Sequence, residues 1–372
     1  MKNLDIQKLD NLIKKRQKYI SLKKNKIISA LFRLKLILAP FLSKIFTRIL
    51  IWLTSNHSHD PRSFSSIIKK NIWTNLNKRK FGKDYEFIVN NHFDQISYII
   101  NSNENSLNSE IFVTGDYEKR YFDEALNILE ILCNKISKMN FFDVGANIGT
   151  FTLLASNSKK FQRIIAIEPH PSSYKNLIAN INLNKCMNIK TFNCAIDYEL
   201  NEIQMEISSQ SSGDNRVRIK EKNLDEKNNL YKEELRETII VPCKTLQEII
   251  INEKIEKQES ISLFWIDVQG AERRVLSSID PSYLDESIFI LEIWEYGLKR
   301  LGDTLECFSQ LLPDHIVINI NFDHDYYPFG CIEIEKLNLR LKDTNTYSYD
   351  LMLIPKKLIS NPEFLNDSFK KS

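Results

Sequence analysis

From about Ile111 onward, short apolar segments alternate with stretches of helical periodicity. Apolar residues recur at helical spacing over residues 121–137 and 174–181, residues 149–157 also suit a helix, and another helix is expected from Ala271. Seven strands are predicted from the apolar runs, namely Phe141–Gly145, Arg163–Glu168, Ile189–Ala195, Ile261–Asp267, Ile288–Glu295, His315–Ile320 and Tyr349–Pro355. Strands that alternate with helices predict βαβ units, and therefore an α/β fold with a doubly wound, mostly parallel sheet.

The N-terminal region, residues 1–54, has a different pattern. Lysine-rich residues 1–26 precede the strongly apolar residues 27–53, in which the longest charge-free run is the eight residues 36–43 and contains Pro40. A membrane span needs about 20 nearly uncharged residues, so we predict a basic amphipathic helical extension, kinked at Pro40, and not a transmembrane helix or a signal peptide. Two roles stay open for residues 27–53: peripheral contact with an anionic membrane surface, or packing on this chain or on a partner subunit.

The remaining chain divides into three regions. Residues 55–110 are expected to form a small lead-in with loops and short strands, near Tyr85–Val89 and Ile96–Ile100. Residues 111–358 form the main domain, which contains a long polar insertion at 208–236, interpreted as a loop with an irregular hairpin near the site. Residues 359–372 are a polar tail.

Charge is distributed unevenly along the chain. Residues 1–53 hold 13 of the 51 Lys and Arg residues and two of the 48 Asp and Glu residues, which leaves 38 basic and 46 acidic residues in the rest. A nucleic-acid-binding domain carries positive charge on its folded core, so this distribution argues against one. The six cysteines form no Cys-x-x-Cys pair and are predicted to be reduced thiols of a cytoplasmic protein.

The most informative segment is Asp143-Val-Gly145-Ala-Asn147-Ile-Gly149, which lies between a predicted strand and a predicted helix. Glu168 ends the next strand, 19 residues after Gly149, where an acidic residue can bind the ribose hydroxyls of an adenosine cofactor. The glycine spacing is not the Gly-x-Gly-x-x-Gly of dinucleotide sites. A carboxylate two residues before the first glycine suits an ammonium group better than a phosphate, which favours S-adenosylmethionine over NAD.

A second segment, Trp265-Ile-Asp267-Val-Gln-Gly270-Ala-Glu272, ends the fourth predicted strand. It places Asp267 at the mouth of the same crevice, although Asp267 could instead be a simple helix N-cap. Asp267 is the first candidate for a catalytic general base and Glu272 the second. Further candidates are weaker: Glu292, Glu295 and His170. No metal site is predicted, because the adjacent side chains at 323–325 point in different directions.

At this point the sequence resembles one family. The blocks FFDVGANIGTFT, AIEPHPSSYKNLIANINLN, LFWIDVQGAERRVL and FILEIWE resemble the FkbM-type S-adenosylmethionine-dependent methyltransferases. Gly115-Asp-Tyr-Glu118 resembles the family's lead-in, and SSGDNRV its polar loop after the third strand. The similarity covers about residues 111–355. Many members carry Lys where this chain has Trp265, a departure that bears on subfamily and substrate.

The resemblance implies a Rossmann-like class I methyltransferase fold with a seven-stranded sheet, S-adenosylmethionine as cofactor, and methylation mainly of oxygen atoms. By position it implies that Asp143, Gly145, Asn147 and Gly149 hold the methionine part of the cofactor. It implies that Glu168 holds the ribose and that Ala195, Ile196 and Asp197 lie near the adenine. Glu118 joins the cofactor-binding set, and Asp267 lies between cofactor and substrate.

The predicted function is therefore O-methylation of a sugar, glycan or small-metabolite hydroxyl by a cytoplasmic enzyme. A nicotinamide-dependent oxidoreductase and a non-enzymatic membrane-surface scaffold are the alternatives. Peripheral contact of this cytoplasmic protein with the inner membrane face through residues 27–53 stays open. A nucleic-acid methyltransferase is disfavoured. Enzymes that methylate base amines typically carry an Asn/Asp-Pro-Pro-aromatic motif at the end of the fourth strand, and this chain has Asp267-Val-Gln-Gly270 there. The acceptor and the oligomeric state stay open.

Overall fold

A computed structural model describes residues 64–78, 86–91, 94–102, 104, 106–133, 139–209, 211–218, 233–255, 260–320, 331–334 and 348–362. The predicted N-terminal extension lies outside these residues, as do most of the C-terminal tail and the loop that contains residues 323–325. Within the described ranges, no helix is both long enough and apolar enough to cross a membrane.

The described chain alternates between strands and helices. The strands are β1 Glu86–Asn91, β2 Ile96–Asn101, β3 Met139–Val144, β4 Phe161–Ile167, β5 Ile189–Phe192, β6 Ala195–Ile196, β7 Glu202–Ile207, β8 Arg216–Val217, β9 Glu237–Lys244, β10 Ile261–Ile266, β11 Ile288–Trp294, β12 His315–Asn319, β13 Cys331–Glu333 and β14 Ser348–Pro355. The α-helices are α1 Phe64–Lys78, α2 Leu107–Thr114, α3 Lys119–Leu132, α4 Thr150–Ser158, α5 Pro171–Leu183, α6 Leu246–Asn252, α7 Glu272–Leu276, α8 Pro281–Leu284, α9 Glu295–Arg300 and α10 Glu306–Leu311.

The main sheet has the strand order β13-β12-β14-β11-β10-β3-β4-β5. Strands β5, β4, β3, β10 and β11 are mutually parallel, and β14 runs antiparallel between β11 and β12. The predicted class I methyltransferase fold with seven core strands is confirmed, and the short β13 adds an eighth strand at one edge. The chain reverses its winding direction between β3 and β10, which makes the carboxyl ends of these strands the topological switch point.

Both faces of the main sheet are covered, which explains why its strands are continuous apolar runs. Successive side chains of β3 point to opposite faces, so Phe141 joins one apolar cluster and Phe142 the other. On the second face, Phe142 stacks on Phe264 with ring centroids 4.3 Å apart, and Phe264 stacks on Phe289 at 5.2 Å. These rings join the three central strands behind the switch point.

Three predictions of local structure were wrong in detail. The expected strand Ile189–Ala195 divides into β5 and β6, and β6 joins a second sheet of order β6-β9-β7-β8. Strands β7 and β9 had not been predicted, because half-exposed strands lack the continuous apolar run of the parallel core. Helix α6 had not been predicted either. The lead-in contains the two predicted short strands, which pair as the antiparallel hairpin of β1 and β2, but also the unpredicted helix α1.

The lead-in hairpin is joined to the main domain through Asn180 of α5 and through Asn184, which caps the C-terminus of that helix. Asn180 accepts a 2.7 Å hydrogen bond from the Ile99 backbone and donates at 2.9 Å to the Ile148 carbonyl. The Asn184 side chain accepts a 2.8 Å hydrogen bond from the Ser97 amide and donates one of 2.7 Å to the Ser97 carbonyl. Ile148 belongs to the glycine loop after β3, so Asn180 links the hairpin to the loop that shapes the site.

Candidate functional site

A cavity of about 340 Å³ opens at the switch point, which is within the size range of small-molecule sites. Eight of the residues predicted for the site line it, namely Glu118, Asp143, Gly145, Asn147, Glu168, Ala195, Ile196 and Asp267. Three predicted residues do not line it, namely Gly149, Asp197 and Glu272. The sequence therefore located the cavity, whereas the tertiary structure separates the residues that face it from those that support it.

The turn after β3 requires glycine because two strand ends meet there. Gly145 has φ +91°, and a Cβ at this position would lie 1.9 Å from the carbonyl oxygen of Asp267. The Gly145 and Ala146 amides both donate to the Ile167 carbonyl, at 2.9 and 3.0 Å. The turn is thus fixed to the end of β4 on one side and pressed against the end of β10 on the other.

Glu168 is held rigidly at the end of β4. Its carboxylate accepts hydrogen bonds of 2.8 Å from the backbone amides of Asn147 and His170, and its side chain is buried. Asn147 adopts a left-handed φ of 49° to direct its amide there. Burial, which outweighs these two hydrogen bonds, raises the pKa of Glu168 to about 7.

Asp143 lies deeper in the cavity, at the end of β3. It is buried, and it accepts a hydrogen bond from the Thr152 hydroxyl of α4. Burial raises the pKa of Asp143 to about 7, and the charge of Asp267 contributes in the same direction. A cation that enters the cavity would therefore stabilise the ionised form of Asp143.

The remaining residues predicted near the cofactor do not line the cavity. Gly149, with φ +91°, lies against Leu177, so it serves the packing of α4 on α5. Asp197 forms a two-pronged ion pair with Arg274, at 2.6 and 3.1 Å, and accepts from the amides of Glu199 and Leu200. It thus supports the segment that carries Ala195 and Ile196. His170 caps α5 through Ser173 and does not line the cavity.

The side of the cavity formed by β10, β11 and β14 carries acidic residues that sequence reasoning ranked low or missed. Glu292 of β11 lies opposite Asp350 of β14 in the strand register, and both line the cavity with Glu118 and Asp267. Burial raises the pKa of Glu118 well above its usual range, with Asp350 and Asp267 adding to the effect. A sequence signal did exist for Asp350, because it is a polar residue inside an otherwise apolar strand.

Glu272 is placed behind the site, not in it. Its Oε1 accepts hydrogen bonds from the amides of Val268 and Gly270, at 3.3 and 3.1 Å. Oε2 is buried and has no hydrogen-bond partner. Burial raises the pKa of Glu272 to about 8. Its position fixes the turn after β10, which makes it a positioning residue and does not support the predicted catalytic role.

We expect the ligand-free protein to lose stability between about pH 5 and about pH 8. Asp143, Glu168 and Glu272 have raised pKa values in the folded state, at about 7, 7 and 8. The folded state therefore holds protons that the unfolded chain has released, so the stabilisation is complete at low pH and is lost as pH rises. Each pKa unit corresponds to about 1.4 kcal/mol.

The variant Glu272→Gln tests this pH dependence, because glutamine keeps an acceptor for the two amides and cannot ionise. Thermal unfolding midpoints measured across that pH range should fall less steeply in Glu272→Gln than in the wild type. Glu306→Gln, at an exposed position of α10, is the control and should match the wild type. Equal slopes in all three proteins would contradict the expectation.

A loop from the second sheet covers one side of the cavity. Residues 211–217 line it, and the Ser212 hydroxyl donates to the Asn147 side chain at 3.1 Å. Arg216 anchors the loop: it is fully buried and forms ion pairs with Glu206, Asp214 and Glu233 at 3.5, 3.4 and 3.1 Å. The sequence shows a polar insertion here but gives no sign that one arginine holds it in place.

Arg300 completes this buried ion network from helix α9. It contacts Glu206 and Glu233, each at 3.0 Å, and the Tyr296 hydroxyl donates to Glu233 at 3.1 Å. Arg216 and Arg300, together with Arg218 at 3.8 Å from Glu206, therefore balance the buried carboxylates of Glu206 and Glu233. No group of three or more His, Cys, Asp or Glu residues in the described part of the chain is arranged to hold a metal ion.

Comparison with known proteins agrees with the resemblance noted in the sequence. Residues 143–326 match the family model described as the methyltransferase FkbM domain. Methyltransferase sdnD from Sordaria araneosa is 26% identical over 200 residues, which covers 48% of this chain and 74% of that protein. Methyltransferase 1 from Beauveria bassiana is 25% identical over 149 residues, which covers 38% of this chain and 59% of that protein.

Solved structures give a weaker likeness. The methyltransferase FkbM from Methylobacillus flagellatus is 13% identical, with a TM-score of 0.35, over 66% of this chain and 52% of that one. TYW2 from M. jannaschii, solved in complex with AdoMet, is 11% identical with a TM-score of 0.32, over 73% of this chain and 86% of that one. This chain thus spans only about half of the FkbM structure.

Proposed function

Since this chain carries an FkbM methyltransferase domain over residues 143–326, we propose that it transfers a methyl group from S-adenosylmethionine to a hydroxyl of a sugar, glycan or small metabolite. The observation that carries the proposal is the acidic cavity at the switch point. Its described lining includes several carboxylates, whereas Arg216 is the only basic residue there and is engaged with Glu206, Asp214 and Glu233.

The residues present fit the cofactor. An ammonium and a sulfonium are both cations, and Asp143 and Asp267 face the cavity from the ends of adjacent strands. Glu168 is fixed by two amides at the end of the next strand, which suits it to accept hydrogen bonds from ribose hydroxyls. The apolar side chains of Ile196 and Met205 line the cavity and would contact the adenine.

When bound, S-adenosylmethionine supplies a methyl group on a sulfonium that is already a good leaving group. The chain's own residues then have to position the acceptor and remove its proton. Asp143 and Glu168 would bind the cofactor at one end of the cavity and fix its orientation. The loop of residues 211–217 excludes water from one side, and Asp267 lies where cofactor and acceptor would meet.

The acceptor is inferred from the opposite side of the cavity. Glu118, Glu292 and Asp350 line it, and carboxylates accept hydrogen bonds from hydroxyl groups. A phosphate or a carboxylate on the acceptor would meet repulsion from these groups. This supports a neutral, hydroxyl-bearing acceptor and argues against nucleic acid.

Calorimetric titration of the full chain tests the cofactor assignment. We expect heat of binding with S-adenosylmethionine and S-adenosylhomocysteine, and none with NAD. Glu168→Gln should weaken binding by about 10- to 150-fold, because a hydrogen bond to a charged group contributes about 1.5–3 kcal/mol. Glu306→Gln is the matched control. Folded wild-type protein that gives no heat with either adenosyl compound would refute the proposal.

Transfer of a labelled methyl group to a panel of free sugars, oligosaccharides and hydroxylated metabolites tests the acceptor. Labelling of an oxygen atom supports the proposal, whereas labelling confined to amines or to nucleic acid contradicts it. The nicotinamide alternative is tested by the NAD titration, since it requires binding where the methyltransferase requires none.

A further inference from the structure

Gln269 joins the ends of two neighbouring strands of the main sheet. Its Nε2 donates to Asp267 Oδ1 at 2.8 Å and to Glu292 Oε2 at 2.5 Å. All three residues line the cavity. The Gln269 amide nitrogen therefore holds the carboxyl group of Glu292, on β11, next to that of Asp267 at the end of β10.

The backbone around Gln269 is constrained from both sides. Gln269 has a left-handed φ of 56°, which is uncommon for a residue with a side chain. The next residue, Gly270, has φ +107°, and a Cβ there would lie 2.4 Å from the backbone of Gly297. On the other side, Glu272 accepts from the amides of Val268 and Gly270. Strain that surroundings enforce in this way is typical of functional sites.

The ionisable groups around Glu292 favour its protonated form. Asp267 faces it from β10 and Asp350 from β14, and the hydroxyl of Tyr117 and the carboxyl of Glu118 lie in the same acidic group. Burial raises the pKa of Glu292 well above its usual range, and Asp267 and Asp350 add to this. Hydrogen bonds to the charged form, from Gln269 and from Ser348, oppose it.

We propose that Glu292 is the general base for the acceptor hydroxyl and that Gln269 is the positioning residue that holds Glu292 beside Asp267. This rests on the methyltransferase function proposed above. The acceptor oxygen forms a bond to the methyl carbon while the carbon–sulfur bond breaks, its electron pair stays on sulfur, and the hydroxyl proton passes to the Glu292 carboxylate.

This assignment has an electrostatic advantage over a base of ordinary pKa. Glu292 is ionised while positive charge is present in the cavity, because a nearby cation favours the carboxylate. Glu292 becomes more basic as the positive charge of the sulfonium is neutralised during methyl transfer. The proton affinity of Glu292 therefore rises when the hydroxyl proton has to be taken up.

The test uses S-adenosylmethionine alone as the probe. Calorimetric titrations of the full chain in buffers of different ionisation enthalpy, over about pH 6 to about pH 8, count the protons released on binding. The wild type should release protons, because the incoming cation ionises both Asp143 and Glu292. Glu292→Gln should release fewer protons than the wild type, since only the contribution of Asp143 remains, and Glu306→Gln should release as many as the wild type.

Gln269→Leu gives a second measurement. Loss of a hydrogen bond to the carboxylate should move the pH of half-maximal proton release upward by about one to two units, because this bond favours the ionised form of Glu292. A merely structural role for Gln269 would not move this midpoint. Once an acceptor is found, Glu292→Gln should lower kcat by about 10²- to 10⁴-fold.

Several outcomes would overturn the assignment. The assignment would be overturned if Glu292→Gln released as many protons as the wild type. It would also be overturned if proton release were lost in Asp267→Asn but kept in full in Glu292→Gln. Cofactor binding by the wild type without any proton release would also overturn it. Failure of the wild type to bind S-adenosylmethionine is a different result, which refutes the methyltransferase proposal itself. Should Glu292→Gln not fold, the midpoint shift in Gln269→Leu still decides.

Discussion

Replacement of Gly145 by alanine is expected to remove detectable binding of S-adenosylmethionine and to destabilise the protein by about 2–5 kcal/mol. The added Cβ would lie 1.9 Å from the Asp267 carbonyl oxygen, and the backbone at this position has φ +91°. Either the turn or the end of β10 must move. Because Asp143 and Asp267 stand on these two segments, the displacement spoils the cavity as well as the packing.

Gly302→Ala is the matched control for Gly145→Ala. Gly302 also has a left-handed φ, at +78°, but nothing lies within 4 Å of a Cβ added there. It should cost only the conformational term of about 1–2 kcal/mol and leave the affinity unchanged. Chemical denaturation and calorimetry of both variants separate the two effects. Equal losses in both variants would show that close approach to Asp267 is unimportant.

Replacement of Arg216 by methionine is expected to destabilise the protein by about 3–5 kcal/mol, because it leaves buried carboxylates without their cation. Glu206 and Glu233 are both buried, and only Arg300 and the more distant Arg218, 3.8 Å from Glu206, would remain to balance them. Methionine keeps much of the arginine's apolar length, so the loss is electrostatic. The loop of residues 211–217 should then lose its fixed position, and the affinity for the cofactor should fall.

Lys357→Met is the control, because Lys357 and its partner Glu286 are both exposed and their ion pair measures 3.1 Å. Exposed ion pairs contribute about 0–1 kcal/mol, so this variant should differ little from the wild type. Unfolding in denaturant gives the stabilities and calorimetry gives the affinities. A loss of less than about 1 kcal/mol in Arg216→Met, with unchanged affinity, would mean that the buried network neither stabilises the fold nor holds the loop.

The network also has a bearing on what the cavity can bind. Arg216 would be a natural partner for an anionic acceptor if it were not engaged with Glu206, Asp214 and Glu233. With this charge balanced internally, the carboxyl groups on the β11 and β14 side determine the electrostatic character of that side of the cavity. Under the function proposed above, a neutral polyhydroxylated acceptor would satisfy these groups without burying a net charge.

Much of the site could be predicted from local sequence. Asp143, Glu168 and Asp267 each follow a short apolar run, and the carboxyl ends of parallel strands meet at one edge of a sheet. Gly145 could be identified because the chain contains only nine glycines and places one between a strand and a helix. Such features depend on a few consecutive residues, so periodicity and turn chemistry are enough to find them.

Other features depend on partners that are distant in the chain. Glu272 was the second candidate for the general base after Asp267, but the short turn between them directs it to the backbone amides of Val268 and Gly270. Asp197 was expected near the adenine, whereas Arg274 holds it, 77 residues further along the chain. Spacing along the chain does not say which way a turn directs a side chain.

By itself the sequence determined the alternation of strands and helices, the family resemblance, and the three carboxylates at the strand ends, because these are written in contiguous residues. Only the tertiary structure decided that Gln269 bridges Asp267 and Glu292, that β14 inserts next to β11 and brings Asp350 to the cavity, and that Arg216 anchors the covering loop. The physical reason is that hydrogen bonds and buried ion pairs form between whichever groups the packing of the whole sheet brings within about 3 Å.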